Sequence, residues 1–101
     1  VLRLHGKFIQ AISPDFELNF IKVLRSALAD RYLSKLTNFF EFGCGTGYHL
    51  IRLAQQLPEL RICGLDWANA TVEIVNIAAT RDSLRLQGRQ FDYFHPDYSL
   101  H

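Results

Sequence analysis

Three glycines at alternate positions, Gly43, Gly45 and Gly47, constrain this chain more than any other feature. They follow an apolar run of strand character over residues 39–42, and a helical pattern begins directly after them at Tyr48. Glycine lets the backbone turn sharply at such a junction because no Cβ stands in the way. The same freedom lets a ligand lie against the main chain, with the amides of the helix N-terminus directed towards it. The stretch therefore predicts the opening strand–loop–helix unit of a nucleotide-type α/β sheet.

Apolar periodicity divides the 101 residues into alternating helices and strands. It predicts helices at about 14–32, 48–56 and 69–81, and strands at about 38–42, 61–65 and 84–91. Right-handed crossovers place three such strands side by side in the order 3-2-1. We therefore expect an α/β chain with the Rossmann-like half of a doubly wound parallel sheet, in which residues 1–101 form a single partial domain. Residues 1–12 carry no clean period, and 92–101 have the character of a loop.

The first predicted helix has a clear start and a clear apolar stripe. Ser13 is placed to act as its N-cap, and Pro14 suits the first helical position. Its apolar side chains recur at helical spacing, at Phe16, Phe20, Val23, Leu24, Ala27 and Leu28. We expect this stripe to pack on the sheet. The main buried stripe of the third predicted helix consists of Thr71, Ile74, Val75 and Ala78, with Val72 and Ala79 beside it.

The spacing of the glycine loop discriminates between cofactors. A dinucleotide loop, Gly-x-Gly-x-x-Gly, needs glycine at position 48, where Tyr48 stands. The pattern is instead Glu-x-Gly-x-Gly-x-Gly, with Glu41 two residues before the first glycine, and it resembles the first motif of class I S-adenosylmethionine (SAM)-dependent methyltransferases. The resemblance implies SAM as cofactor and Glu41 near its methionine amine. It also implies that the loop lies against the cofactor through Gly43, Cys44, Gly45 and Gly47. The alternative for Glu41 is a structural role, tying down the glycine turn.

Two residues at the end of the second predicted strand extend the resemblance. Asp66 follows that strand, and a carboxylate there can accept hydrogen bonds from two ribose hydroxyls at once. In the methyltransferases an acid at this place holds the ribose of SAM, and Asp66 matches it. The alternative for Asp66 is a solvated strand-end acid or a helix cap. Trp67 could cover the adenine with its flat face, or it could be an ordinary core residue.

The end of the third predicted strand supplies the last candidates, Asp92 and Tyr93. In the family an acid after strand 3 accepts a hydrogen bond from the adenine amino group, and the next backbone amide meets the ring. Asp92 and Tyr93 match these roles, with a surface-loop acid as the alternative for Asp92. Residues 95–98, His-Pro-Asp-Tyr, resemble the acid/amide-Pro-Pro-aromatic motif of amino-methylating enzymes. They have one proline, begin with histidine and fall one strand too early, so we do not assign them that role.

Composition argues against several other classes of protein. A net charge of +1 gives no electrostatic case for nucleic acid or an anionic membrane, and the apolar runs are too short to span one. Cys44 and Cys63 are too few for a disulfide framework, and as small buried thiols they suit a reducing compartment, so we expect the cytoplasm. The sequence has no His/Cys cluster with metal-ligand spacing, and it has no nucleophile elbow, P-loop or acid–base pair.

The resemblance covers residues 38–97 and accounts for three of the seven strands of a class I methyltransferase. Strand 4, whose loop usually lines the acceptor site, is not among them, so catalytic and acceptor-site residues are not assigned. The chain has no methionine, and we expect it to be a piece of a longer protein. It would be the SAM-binding half of an enzyme that methylates a small molecule, inactive by itself.

Two rival functions remain open. One is a non-catalytic module that keeps the glycine loop and serves protein association, and the other is an NAD-binding half-domain, which Tyr48 disfavours. A first strand without its strand-4 neighbour would present an unpaired edge, which is a template for another chain. We therefore expect association of the isolated chain, with a homodimer through that edge as one form.

Overall fold

The chain folds in the predicted alternation of helix and strand, preceded by a short hairpin. A computed structural model describes residues 2–10 and 14–100. Its elements in chain order are strands β1 (Leu2–Leu4) and β2 (Lys7–Ile9), helix α1 (Phe16–Leu28), a π-helix (Ala29–Leu33), strand β3 (Asn38–Phe42), helix α2 (Tyr48–Gln56), strand β4 (Arg61–Asp66), helix α3 (Asn69–Arg81), strand β5 (Leu86–Gln90) and a 3-10 turn (Tyr98–Leu100).

Strands β3, β4 and β5 form a parallel sheet in that spatial order, which confirms the predicted order 3-2-1. Glu41 of β3 aligns with Gly64 of β4, which aligns with Gly88 of β5. Because the strands are parallel, their carboxyl ends meet at one edge of the sheet. The predicted bounds of β3 match, whereas β4 continues one residue further, to Asp66, and β5 is shorter than the predicted 84–91.

Helices α2 and α3 cover one face of this sheet. The buried core beneath them consists of Leu50, Ala54, Leu60, Ile62, Val75, Ala79 and Leu86. A Cβ at Gly64 would lie 2.6 Å from Leu50 Cδ1, and one at Gly88 would lie 2.9 Å from the Val72 carbonyl oxygen. Gly88, which weakens the strand signal in the sequence, therefore has a packing reason: only glycine lets α3 lie this close to β5.

Helix α3 has the predicted bounds but a slightly different buried face. Its buried residues are Val72, Val75, Ala78 and Ala79. The prediction is wrong for Ile74, whose side chain is 48% exposed. Val75 is fully buried, and the close approach at Gly47 and Gly88 sets the rotation of the helix about its axis. Ile74 is the residue before Val75, so its side chain projects from a different side of the helix and is exposed to solvent.

The first helix departs most from expectation. Instead of a continuous helix over 14–32, α1 begins at Phe16 with Asp15 as N-cap, and a π-helix takes over at Ala29. Its apolar residues are exposed, with Phe20 at 57% and Val23 at 70%, so the prediction that this stripe packs on the sheet is wrong. The physical reason is that α2 and α3 already occupy the helix-covered face of the three strands. Ser13, the expected N-cap, lies outside the described residues.

The N-terminal lead-in, for which the sequence gives no clean period, contains an antiparallel hairpin. Strand β1 pairs with β2, with Arg3 opposite Phe8. The two turn residues, His5 and Gly6, both have positive φ angles, of 48° and 79°. Two-residue hairpins of this kind match the natural twist of the strands.

Candidate cofactor site

Strand β3 ends in a loop whose three glycines all adopt left-handed backbone conformations. Two of them do so for different reasons. A Cβ at Gly47 would lie 2.7 Å from Val75 Cγ2, so this glycine is required by packing against α3. At Gly45, with φ of 56°, an added Cβ would meet nothing within 4 Å. Gly45 therefore leaves open space above the loop, into which a ligand could come close to the main chain.

The end of β4 holds this loop in place. The Gly43 and Cys44 amides both donate to the Leu65 carbonyl oxygen, at 2.7 and 3.1 Å. The Gly45 amide donates to Asp66 Oδ2 at 3.0 Å. These three N–H groups are engaged within the protein, so what this part of the loop offers a ligand is close approach rather than donors.

Asp66 links the two elements that the sequence predicts to share a site. Its side chain is buried, with the residue 8% exposed, and its other oxygen, Oδ1, accepts the Ala68 amide at 3.0 Å. It is therefore not the solvated strand-end acid of the alternative interpretation. A carboxylate oxygen has two acceptor positions. Each Asp66 oxygen uses one within the protein and keeps one for a further donor.

A cavity of about 490 Å³ opens at the carboxyl ends of β4 and β5. It is lined by Trp67, Gln90, Asp92, Tyr93 and Phe94. Trp67 is 73% exposed, so the alternative of an ordinary core residue is wrong. The Gln90 side chain donates to the Trp67 carbonyl oxygen at 3.0 Å and so ties the two strand ends together. Flat side chains and one carboxylate thus surround a space of small-ligand size.

The carboxylate in this cavity belongs to Asp92, and it is already held by its own loop. Oδ1 accepts the Phe94 amide at 2.9 Å, and Oδ2 lies 2.9 Å from His95 Nδ1. The hydrogen bond from His95 first, and the Phe94 amide second, lower the pKa of Asp92. Asp92 is therefore ionised near neutral pH and acts as an acceptor.

Three aromatic rings, those of Phe42, Phe91 and Tyr93, pack together where β3 and β5 end. The Phe42 and Phe91 rings lie edge to face, with centroids 5.2 Å apart, and the Tyr93 ring is 5.5 Å from that of Phe91. The Tyr93 hydroxyl lies 3.8 Å from the place a Cβ would take at Gly43. Tyr93 therefore lines the cavity and also reaches towards the glycine loop.

Two predicted site residues, Glu41 and Cys44, do not direct their side chains into this cavity. Glu41, half-buried, lines a separate groove of about 440 Å³ between α1, β3 and α2, together with His49. Burial lowers the pKa of His49, and the positive charge of Arg25 lowers it further. The Cys44 thiol packs against the core, where burial raises its pKa and keeps it neutral. Cys44 could meet a ligand at this edge only through its main chain.

The structure thus brings most of the predicted site residues to one edge of the sheet, namely Gly43, Gly45, Asp66, Trp67, Asp92 and Tyr93. The sequence did not single out Gln90, Phe94 or His95 as neighbours of this edge. Gln90 aligns with Asp66 across the strands, so a correct register for β5 would have found it. Phe94 and His95 lie in an irregular loop, where no periodic signal places a side chain.

The described part of the chain has neither a cluster of metal-ligating side chains nor a helix that could cross a membrane. Within residues 2–10 and 14–100, no three His, Cys, Asp or Glu side chains are grouped so that they could hold a metal ion. None of the described helices is long and apolar enough to cross a membrane.

No protein-family model and no curated protein matches this sequence. Solved structures do match. StiE O-MT (residues 942–1257) is 26% identical over 86% of this chain and 32% of its own, with a TM-score of 0.68. Coclaurine N-methyltransferase, bound to N-methylheliamine and SAH, is 14% identical over 91% of this chain and 27% of its own, with a TM-score of 0.69. The apo SAM-dependent methyltransferase SibL is 22% identical over 85% of this chain and 28% of its own, with a TM-score of 0.55.

The chain therefore covers about a third or less of each of these three solved chains. The chain itself has three parallel strands in one sheet, with a glycine loop at the end of the first of them. These observations show that the chain has the fold of the class I SAM-dependent methyltransferases.

Proposed function

We propose that this chain is the SAM-binding part of a methyltransferase. The observation that carries the proposal is the hydrogen bond of 3.0 Å between the Gly45 amide and Asp66 Oδ2. It joins a glycine loop from one strand end to an acid from the next, and the residue after that acid, Trp67, lines a cavity with flat walls. The likeness to methyltransferases of solved structure, one of them bound to SAH, supports the same cofactor.

In this proposal, different residues hold the different parts of SAM. The adenine would lie in the cavity between Trp67 and Tyr93, with its amino group towards Asp92. The ribose hydroxyls would use the two acceptor positions that Asp66 retains. The methionine part would pass over the loop at Gly45, where an added Cβ meets only open space, and its amine would have to extend into the groove that Glu41 lines. Gly43 and Cys44 would face the cofactor through the main chain. Gly47 would support the loop by allowing it to pack closely against Val75 of α3.

The chemistry at this site is methyl transfer from the sulfonium of SAM, which makes few demands on acid or base side chains. The protein mainly has to position donor and acceptor in line and exclude water. No residue is assigned as catalytic. The acceptor is proposed to be a small molecule, in keeping with the N-methylheliamine bound in one of the matching methyltransferase structures.

The net charge, the two free cysteines and the outer strand β3 support the proposed partners and compartment. A net charge of +1 favours no nucleic acid partner. Both cysteines are free, which supports the cytoplasm as the compartment. β3 is an outer strand of the described sheet, and an outer apolar strand readily pairs with another chain. A homodimer through the β3 edge is therefore part of the proposal for the isolated chain.

The cofactor proposal is tested by calorimetric titration with SAM, S-adenosylhomocysteine and NAD in parallel. Binding of the first two and not of NAD is the expected result. Asp66→Ala should weaken SAM binding on the order of 10- to 150-fold because charge-assisted hydrogen bonds are lost. Asp82→Ala, which removes an exposed carboxylate paired with Arg81, is the matched control and should bind normally. Binding of NAD alone would favour a dinucleotide site, and binding of none of the three would favour an association module.

The dimer is tested by light scattering over a dilution series. The Gly43 amide donates to the Leu65 carbonyl oxygen, and the Thr37 carbonyl oxygen accepts the Arg61 amide. The main-chain N–H and C=O groups of odd-numbered residues therefore face β4. The N–H of Phe40 consequently points to the open edge of the sheet. Phe40→Pro removes an edge donor and leaves the β3–β4 hydrogen bonds intact. We expect wild type and Phe40→Ala to be dimers and Phe40→Pro a monomer. A monomeric wild type, or a dimeric Phe40→Pro, would refute pairing through this edge.

A further inference from the structure

His95 and Asp92 form a closed structural unit next to the cavity that Trp67, Asp92, Tyr93 and Phe94 line. The two residues make an isolated antiparallel bridge, in which the His95 amide donates to the Asp92 carbonyl oxygen at 3.0 Å. Their side chains also meet, with His95 Nδ1 2.9 Å from Asp92 Oδ2. An ionised carboxylate only accepts hydrogen bonds, so Nδ1 must carry the proton in this pair.

Together these contacts fix the orientation of the Asp92 carboxylate. Oδ1 is held by the Phe94 amide and Oδ2 by the His95 ring, one on each oxygen. Each oxygen keeps a second acceptor position. A carboxylate that is already oriented loses less conformational freedom when it accepts a hydrogen bond from a ligand.

The surroundings define which ligand group would donate to it. The cavity places the carboxylate among the flat side chains of Trp67, Tyr93 and Phe94. A planar heterocycle fits between such rings, and a donor at its rim would reach Asp92. An exocyclic amino group is a donor of this kind, whereas a carbonyl oxygen at the same place would face the carboxylate as a second acceptor.

We propose that His95 is a positioning residue that orients Asp92 to accept a hydrogen bond from the exocyclic amine of the nucleobase, and that it thereby selects adenine over hypoxanthine. The proposal rests on the proposed function, since it concerns the base of the same cofactor. His95 itself does not touch the base. Its side chain is 85% exposed, so its contribution to the core is small.

Calorimetric titration of the 101-residue chain with two ligands tests this proposal. The ligands are S-adenosylhomocysteine and its analogue in which hypoxanthine replaces adenine. Wild type should prefer the adenine ligand. His95→Ala should weaken adenine binding by about tenfold and change hypoxanthine binding less than about twofold, which lowers the preference. His95→Asn keeps an N–H donor and should restore most of the preference, and His49→Ala, on α2 outside this cavity, should leave it unchanged.

The other outcomes each count against the proposal. Equal weakening for both ligands in His95→Ala would mean that His95 only supports the loop. An unchanged adenine affinity in His95→Ala, with a wild type that binds, would overturn the role of His95 and leave the cofactor proposal intact. A wild type that binds neither ligand would refute the proposed function and this inference with it.

Discussion

Helices α1 and α3 are both 13 residues long and both have apolar stripes, yet only α3 is part of the core. Val75 of α3 is fully buried, whereas Val23 of α1 is 70% exposed. The large apolar residues of α1 that remain exposed are Phe16, Leu18, Phe20, Ile21, Val23, Leu24 and Leu28. The two helices therefore differ in what they pack against far more than in their own sequence pattern.

The contacts of the two helices differ in kind. The α1 region is attached to α2 by polar groups: Gln56 Nε2 donates at 2.8 Å to both the Ser26 carbonyl oxygen and Asp30, and Lys22 lies over the Tyr48 ring. Helix α3 packs its apolar face on the sheet and adds a reciprocal pair between Asn76 and Gly88, at 3.0 and 2.8 Å. An apolar stripe thus indicates which face of a helix favours burial, but not whether the chain supplies a surface to bury it.

The largest difference should come from one substitution made in both helices. Val75→Ala should lower the free energy of unfolding by about 2 to 3 kcal/mol because it leaves a cavity in a packed core. Val23→Ala should change that free energy by less than about 0.5 kcal/mol because the side chain is exposed. Urea unfolding followed by circular dichroism measures both values. A similar loss in the two variants would mean that α1 is packed in solution.

A smaller difference should separate the two side-chain amides that hold these helices. Asn76→Ala leaves the Gly88 N–H and C=O without their partner and should cost about 1 to 2 kcal/mol of unfolding free energy. Gln56→Ala removes exposed hydrogen bonds and should cost less than about 0.5 kcal/mol. Hydrogen exchange gives the local readout, because the Gly88 amide should lose protection in Asn76→Ala only. If the Gly88 amide kept its protection in Asn76→Ala, the Asn76 side chain would not be the group that protects this amide at the outer edge of β5.

The smallest expected effect is a change in the pKa of His49, which reports whether α1 lies against α2. The pKa of His49 should be below its ordinary value of 6.5, first because of burial and second because of Arg25. Since the folded pKa is below the unfolded one, stability should fall as the pH drops through 6.5 towards the folded pKa. Arg25→Gln should raise the pKa measured by NMR, while Arg52→Gln, on α2, should not. No response to Arg25→Gln would mean that α1 stands away from α2.

The parts of the fold that were predictable depend on local signals. The glycine trio, the apolar runs and Pro58 after α2 lie in the sequence itself, and they give the bounds of β3, α2 and α3 closely. Asp66 was predictable as a neighbour of the loop because parallel strands end at one edge. The direction of the Glu41 side chain was not predictable. It depends on which face of β3 carries Glu41 and on where α1 and α2 lie relative to that face.

Other features depended on contacts between distant residues. The alignment of Gln90 with Asp66 depends on the register of β5, and the pairing of His95 with Asp92 depends on a loop conformation. The exact rotation of α3 depends on Val75 fitting against Gly47 and Gly88, which exposes Ile74. None of these has a periodic signal, so propensity and spacing did not identify them.

The sequence by itself determined the order of helices and strands, the glycine loop and the acid that meets it, because backbone sterics and apolar periodicity act over a few neighbouring residues. Only the tertiary structure decided that Cys44 and Gly47 serve the core and that Gly45 faces open space. It also decided that α1 carries its apolar stripe outward. These outcomes depend on which surfaces remain uncovered after α2 and α3 have packed on the sheet, and no segment of sequence carries that information alone.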